Sequence, residues 1–78
     1  MYFNNYVLSA TVLECNNQTL TVKGLPFWFI FIPNTWKLAG TDIHIIDYIG
    51  TSEIGMLYLS KEVLIKPGKE INITYINI

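Results

Sequence analysis

The sequence predicts an all-β fold, a small barrel of five to seven short strands with at most one short helical turn. Three observations carry this. β-Branched and aromatic side chains, which suit a pleated, half-buried surface, dominate the chain. Turn-forming residues interrupt them roughly every eight to ten positions, a spacing typical of short strands in a barrel or sandwich. The run Phe27-Trp28-Phe29-Ile30-Phe31-Ile32, bounded by Pro26 and Pro33, reads as a strand apolar on both faces, because successive strand side chains point to opposite sides.

Taken in order, Tyr6 to Glu14 and Gln18 to Gly24 read as a hairpin. Cys15, Asn16 and Asn17 form its loop, with Asn17 in the left-handed conformation that Asn tolerates. This register sets Val12 opposite Leu20 and Ala10 opposite Val22 on an apolar face that continues through Leu8 and Tyr6. It sets Leu13 opposite Thr19, Thr11 opposite Thr21 and Ser9 opposite Lys23 on a mostly polar face. Gly24-Leu25-Pro26 ends the hairpin and opens the Phe27 to Ile32 strand, which Pro33 stops. Asn34 or Thr35 can cap a single helical turn, Trp36-Lys37-Leu38-Ala39, with Gly40 as its left-handed stop.

Thr41 to Ile49 is the next strand. Its apolar positions are odd at Ile43 and Ile45 but even at Ile46 and Tyr48, so a β-bulge near Ile45-Ile46 is expected to absorb the slip and bend the strand. Gly50-Thr51-Ser52-Glu53 is a turn. Ile54 to Leu59 is a strand weakened by Gly55, and Ser60-Lys61-Glu62 is a turn or a short helical turn. Val63 to Ile65 leads into Lys66-Pro67-Gly68-Lys69, where Pro followed by Gly at the central positions specifies a type II turn. Glu70 to Ile78 closes the chain as a strand, with Ile71 and Ile73 on one face and Asn72 and Thr74 on the other. A barrel removes sheet edges that so apolar a chain cannot leave exposed. A helical turn after three strands is the element order of an OB-like barrel. An SH3-like barrel or a small sandwich accommodates the same strands.

Seventy-eight residues make one domain, spanning 1–78, without room for a second core. A domain near this size hides only roughly 60–65% of the surface its unfolded chain exposes. Cys15 is the sole cysteine, so no disulfide forms within the chain. Cys15, Asp42, His44 and Asp47 lack metal-ligand spacing, and no cofactor is expected. Oligomerisation is the remaining common source of stability. The composition agrees: 51% of residues are apolar and 14% charged, against about 25% charged in an average domain. The net charge of −1 and the lack of arginine give neither a field nor a guanidinium fork for nucleic acid. No apolar run approaches the roughly 20 residues of a membrane span. The segment MYFNNYVLSA does not read as a secretory signal, so a cytoplasmic protein is expected. The abundance of Ile, Asn, Lys, Tyr and Phe, residues with AT-rich codons, suits a virus or mobile element.

Catalysis is not expected. His44 stands alone between Ile43 and Ile45, and Asp42 shares its strand face, which suits a weak ion pair rather than a dyad. There is no Gly-x-Ser-x-Gly elbow and no phosphate-cradling loop, and Cys15 has no basic neighbour to activate it. The expected function is that of an interaction or assembly module. Trp28 and its neighbours carry that expectation: Trp28, Ile30, Ile32 and Trp36 form the contact surface, a symmetric dimer is the default, and another protein is the other candidate occupant. Within a single chain, Trp36 could instead cover Trp28. A second expectation is single-stranded nucleic-acid binding, with Lys61, Lys66 and Lys69 as a basic stripe and Tyr48 and Tyr58 as stacking platforms. Five lysines against six acids weigh against it. A third is a viral inhibitor that presents the same apolar surface to a host protein.

Overall fold

The computed structural model describes residues 7–25, 35–51 and 53–75. The expected strand Phe27 to Ile32, with Trp28, Ile30 and Ile32, lies outside the described residues. Six strands are present: β1 (Val7–Asn16), β2 (Thr19–Lys23), β3 (Trp36–Leu38), β4 (Ile45–Gly50), β5 (Ile54–Leu59) and β6 (Glu70–Tyr75). They form one antiparallel sheet of order β3-β6-β1-β2-β5-β4. Its two ends meet at a bridge between Lys37 and His44, and the Leu38 N–H donates to the Ile43 carbonyl at 2.9 Å. The sheet thus curls into a nearly closed barrel, and no helix occurs among the described residues.

The β1–β2 hairpin follows from its turn chemistry. Asn17 takes a left-handed φ of 59°, as expected. The register differs from expectation. The turn is tighter, pairing Asn16 with Thr19, Cys15 with Leu20 and Glu14 with Thr21. A bulge between Val12 and Glu14 then shifts the ladder, so Val12 faces Val22 and Thr11 faces Lys23. The expected and observed pairings at this end differ by an even number of residues, which leaves every side chain on its expected face. Ala10, Val12, Leu20 and Val22 are accordingly all buried.

The expected helical turn at Trp36-Lys37-Leu38-Ala39 is instead strand β3, which removes the OB-like element order from the described residues. Trp36 and Leu38 are two apart and both buried, while Lys37 between them is half-exposed. That alternation fits a strand lying on β6, where Trp36 pairs with Tyr75 and Leu38 with Ile73. A single helical turn cannot compete with that packing. Gly40 is left-handed at φ 79°, but it ends a strand: the Thr41 N–H and hydroxyl both donate to the Leu38 carbonyl, at 3.2 and 2.8 Å.

The expected bulge in β4 is present. Ile45 pairs with Leu59, and the ladder resumes with Asp47 opposite Tyr58. The segment between β5 and β6 crosses one end of the barrel. The Val63 N–H donates to the Asn17 carbonyl at 3.0 Å, and the Gly68 N–H donates to the Val12 carbonyl at 2.7 Å. Gly68 has φ 91°, as the Pro67-Gly68 turn requires, and the Lys69 N–H donates to the Lys66 carbonyl at 3.2 Å.

Every strand sends side chains inward. Ala10, Val12, Leu20, Val22, Trp36, Leu38, Ile45, Leu57, Leu59 and Ile73 form the core, with Val63 and Ile65 of the crossing segment packed against it. Each fully buried Leu, Ile or Val contributes about 1.5–3 kcal/mol relative to an exposed one. No polar or charged side chain is buried among the described residues.

Candidate interaction surface

Strand alternation determines which side chains the barrel shows to solvent. Along β6, β1 and β2 the outward positions are polar: Glu70, Asn72 and Thr74, then Ser9 and Thr11, then Thr19, Thr21 and Lys23. Ser9 donates its hydroxyl to Asn72 Oδ1 at 2.8 Å. Val7 and the bulged Leu13 are the exposed apolar residues on β1.

The outer face of β4 and β5 is different. Tyr58 lies between Thr19 and Asp47, Met56 between Thr21 and Ile49, and Ile54 beside Lys23. Ile49 is 62% exposed and Ile54 49%. The β4 bulge adds Ile46, which is 49% exposed and borders a shallow concavity with Tyr58, Thr19, Asn16 and Gln18. Ile46, Ile49, Ile54, Met56 and Tyr58 thus form one apolar stripe on the outside of the barrel.

Tyr48 supports this hairpin from within. It points inward opposite Leu57, and its ring lies over Gly50 and Gly55, which face each other across the ladder. A Cβ on either glycine would collide with the hydroxyl end of the ring. Burial pushes the Tyr48 phenol above its ordinary pKa. The ring is therefore part of the hairpin's packing, and Tyr48 does not share the outward face of Tyr58.

Of the expected basic stripe, Lys66 and Lys69 border one depression and Lys61 pairs with an acid. Lys61 is engaged with Asp42, Nζ to Oδ2 at 2.9 Å, with both side chains well exposed. The Lys61 hydrogen bond, followed by its charge, holds the Asp42 carboxyl below the usual range. Lys61, rather than the expected His44, is thus the main partner of Asp42. His44 is tied by its backbone, donating its N–H to Ser60 Oγ at 3.0 Å. Lys66 and Lys69 flank the turn docked on Val12 and border a depression with Leu64 and Ile65. Leu64 projects from that segment at 98% exposure. The concavity beside Tyr58 shares no residue with this depression.

Trp36, expected at the contact surface, is in the core at 6% exposure. Its ring meets Tyr75 edge-on, with centroids 5.3 Å apart and an interplanar angle of 77°. The cause is its pairing with Tyr75 on β6, which turns the indole inward. Cys15 is half-buried, and its thiol lies 3.4 Å from the Val63 carbonyl, to which it donates. Among the described residues no three His, Cys, Asp or Glu side chains gather as a metal site, and no helix is long and apolar enough to cross a membrane.

Sequence reasoning passed over Ile46, Ile49, Ile54 and Met56. The signal was present in Ile54-Gly55-Met56-Leu57-Tyr58-Leu59, which carries apolar residues at even and odd positions alike. Such a strand needs cover on both faces. No family model, curated protein or solved structure matches the chain.

Proposed function

We propose that this chain is a non-catalytic β-barrel interaction module whose contact surface is the outer face of the β4–β5 hairpin. The carrying observation is the stripe of Ile46, Ile49, Ile54, Met56 and Tyr58 on neighbouring outward positions, with the three isoleucines exposed and Met56 and Tyr58 half-buried between them. Contiguous apolar surface rimmed by polar groups marks protein contact sites. Aromatic and Met side chains with few charges typify the centre of such a site. The stripe also sits on paired strands braced by the Tyr48 ring, so little ordering cost accompanies docking.

The test is a solvent-accessibility map by methyl NMR with a soluble nitroxide, using Ile49→Asp to suppress association. The methyl groups of Ile46, Ile54 and Met56 are expected to broaden strongly, and those of Leu20 and Leu57 to stay sharp. Protection of the three outer methyl groups in that variant would mean that the chain covers the stripe itself, and would overturn the proposal.

A further inference from the structure

We infer that the occupant of this face is a second copy of the chain, docked about a two-fold axis with the two sheets crossing steeply. This rests on the β4–β5 face being the contact surface and adds the partner and its orientation. The charges around the stripe carry it. Asp47 stands at one corner, on β4 opposite Tyr58. Lys23 stands at the diagonal corner, on β2 opposite Ile54. Two strand spacings across and four residues along separate them, about 10 Å by about 13 Å, or roughly 16 Å on the diagonal.

Consider a two-fold axis lying in the contact plane, perpendicular to that diagonal and passing through Met56. It exchanges the two corners, so Asp47 of each copy lands on Lys23 of the partner subunit. The same rotation lays Ile49 against Ile54 of the partner subunit and Met56 against its own equivalent. The strands then cross at roughly 70°, close to the orthogonal class of sheet packing. Docking with the strands aligned fails this test. It sets Asp47 over Thr19 or Thr51 of the partner subunit, away from any cation. This arrangement brings Ile49, Ile54 and Met56 of the two copies together with both charges paired, and it is isologous, as a closed dimer requires.

Glu53 also borders the Lys23 corner, and the ion pair is at the rim. Its role is therefore orientation more than strength. The chain exposes 5129 Å² in all, and a convex barrel wall contributes less than the about 800 Å² per partner of tight complexes. The expected dissociation constant is on the order of 100 μM.

Cysteine cross-linking in a Cys15→Ser background tests the arrangement. Met56→Cys is expected to form a covalent dimer with a short bis-maleimide, because the position lies on the axis and facing sheets pack about 10 Å apart, too far for a direct disulfide. Asp47→Cys mixed with Lys23→Cys is expected to give the mixed dimer. Neither of those two variants alone should cross-link, since like positions stay roughly 16 Å apart along the face, beyond the reach of that linker. By sedimentation, Asp47→Lys and Lys23→Asp should each weaken dimerisation about three- to tenfold, with recovery in the double variant. Efficient cross-linking of Asp47→Cys with itself, or no cross-linking of Met56→Cys, overturns the arrangement. The face itself stands in that case if Ile49→Asp still abolishes association. A wild-type chain that remains monomeric at about 500 μM overturns the second copy as occupant. The nitroxide map then decides separately whether the face is open. Association indifferent to Ile49→Asp overturns both conclusions.

Discussion

The two halves of the barrel wall share one interior and differ on the outside. Behind both lies the same apolar lining, with Val12 and Ile73 under one half and Leu57 and Ile45 under the other. In front, β6, β1 and β2 show mostly Ser, Thr, Asn, Glu and Lys, with Val7 and Leu13 the exposed apolar residues on β1, whereas β4 and β5 show Ile, Met and Tyr around the single acid Asp47. Strand formation does not need the second pattern, because the first half folds into the same ladder with polar residues outward. The apolar exterior of β4 and β5 is therefore surplus to what the fold requires, and a surface stripe of this kind points to contact.

The largest expected effect removes the distinction altogether. Leu20 lies beneath β2, where the halves join, and is fully buried. Leu20→Ala should destabilise the protein by about 2–5 kcal/mol in denaturant unfolding, through lost transfer energy and a residual cavity. Both halves should lose amide protection together.

Gly55→Val should separate the halves. The added side chain meets the Tyr48 ring and the overpacking costs about 1–3 kcal/mol. Hydrogen exchange should accelerate in β4 and β5 well before β1 and β6. Uniform acceleration would show that the Tyr48 contact does not belong specifically to that half.

Ile49→Asp isolates the exterior. Ile49 is largely solvated already, so unfolding stability should change by no more than about 0.5 kcal/mol. Association should be lost, while Asn72→Asp on the polar half should change neither quantity. Equal effects from the two substitutions would erase the contrast between the faces.

The smallest effect belongs to the exposed pair of Lys61 and Asp42. The Asp42 carboxyl is held below its usual range in the folded chain. Its stabilisation is therefore complete above the ordinary carboxylate range and lost as pH falls through the lowered folded value. The difference in thermal midpoint between wild type and Lys61→Ala should be small at neutral pH, shrink with added salt and vanish in strong acid. A difference that persists in strong acid would mean Lys61 acts by packing rather than by charge.

Much of the fold was legible in the residues because it depends on period and turn chemistry. The Asn17 turn, the bulge after Ile45, the Pro67-Gly68 turn and the apolar set Ala10, Val12, Leu20 and Val22 all follow from local rules. The β1–β2 partners did not follow, because a bulge inside β1 moves the register without changing which face is buried. Strand β3 escapes sequence reading because the four residues between the Thr35 cap signal and Gly40 satisfy helix and strand rules alike, and only the pairing with β6 decides. The contact stripe was hidden for a third reason. An apolar residue in a strand looks like core until the position of every bulge is known, and Ile46 faces out only because the β4 bulge turns it.

The Tyr48 ring lying over Gly50 and Gly55 constrains how this protein can change over generations. The three positions can be altered only in a certain order. A lineage that gains a methyl group at 50 or 55 while the tyrosine remains suffers a collision, whereas one that first shrinks residue 48 leaves room for either. Descendants of this chain should therefore carry the aromatic with both glycines, or a smaller residue at 48 with the glycines free to drift.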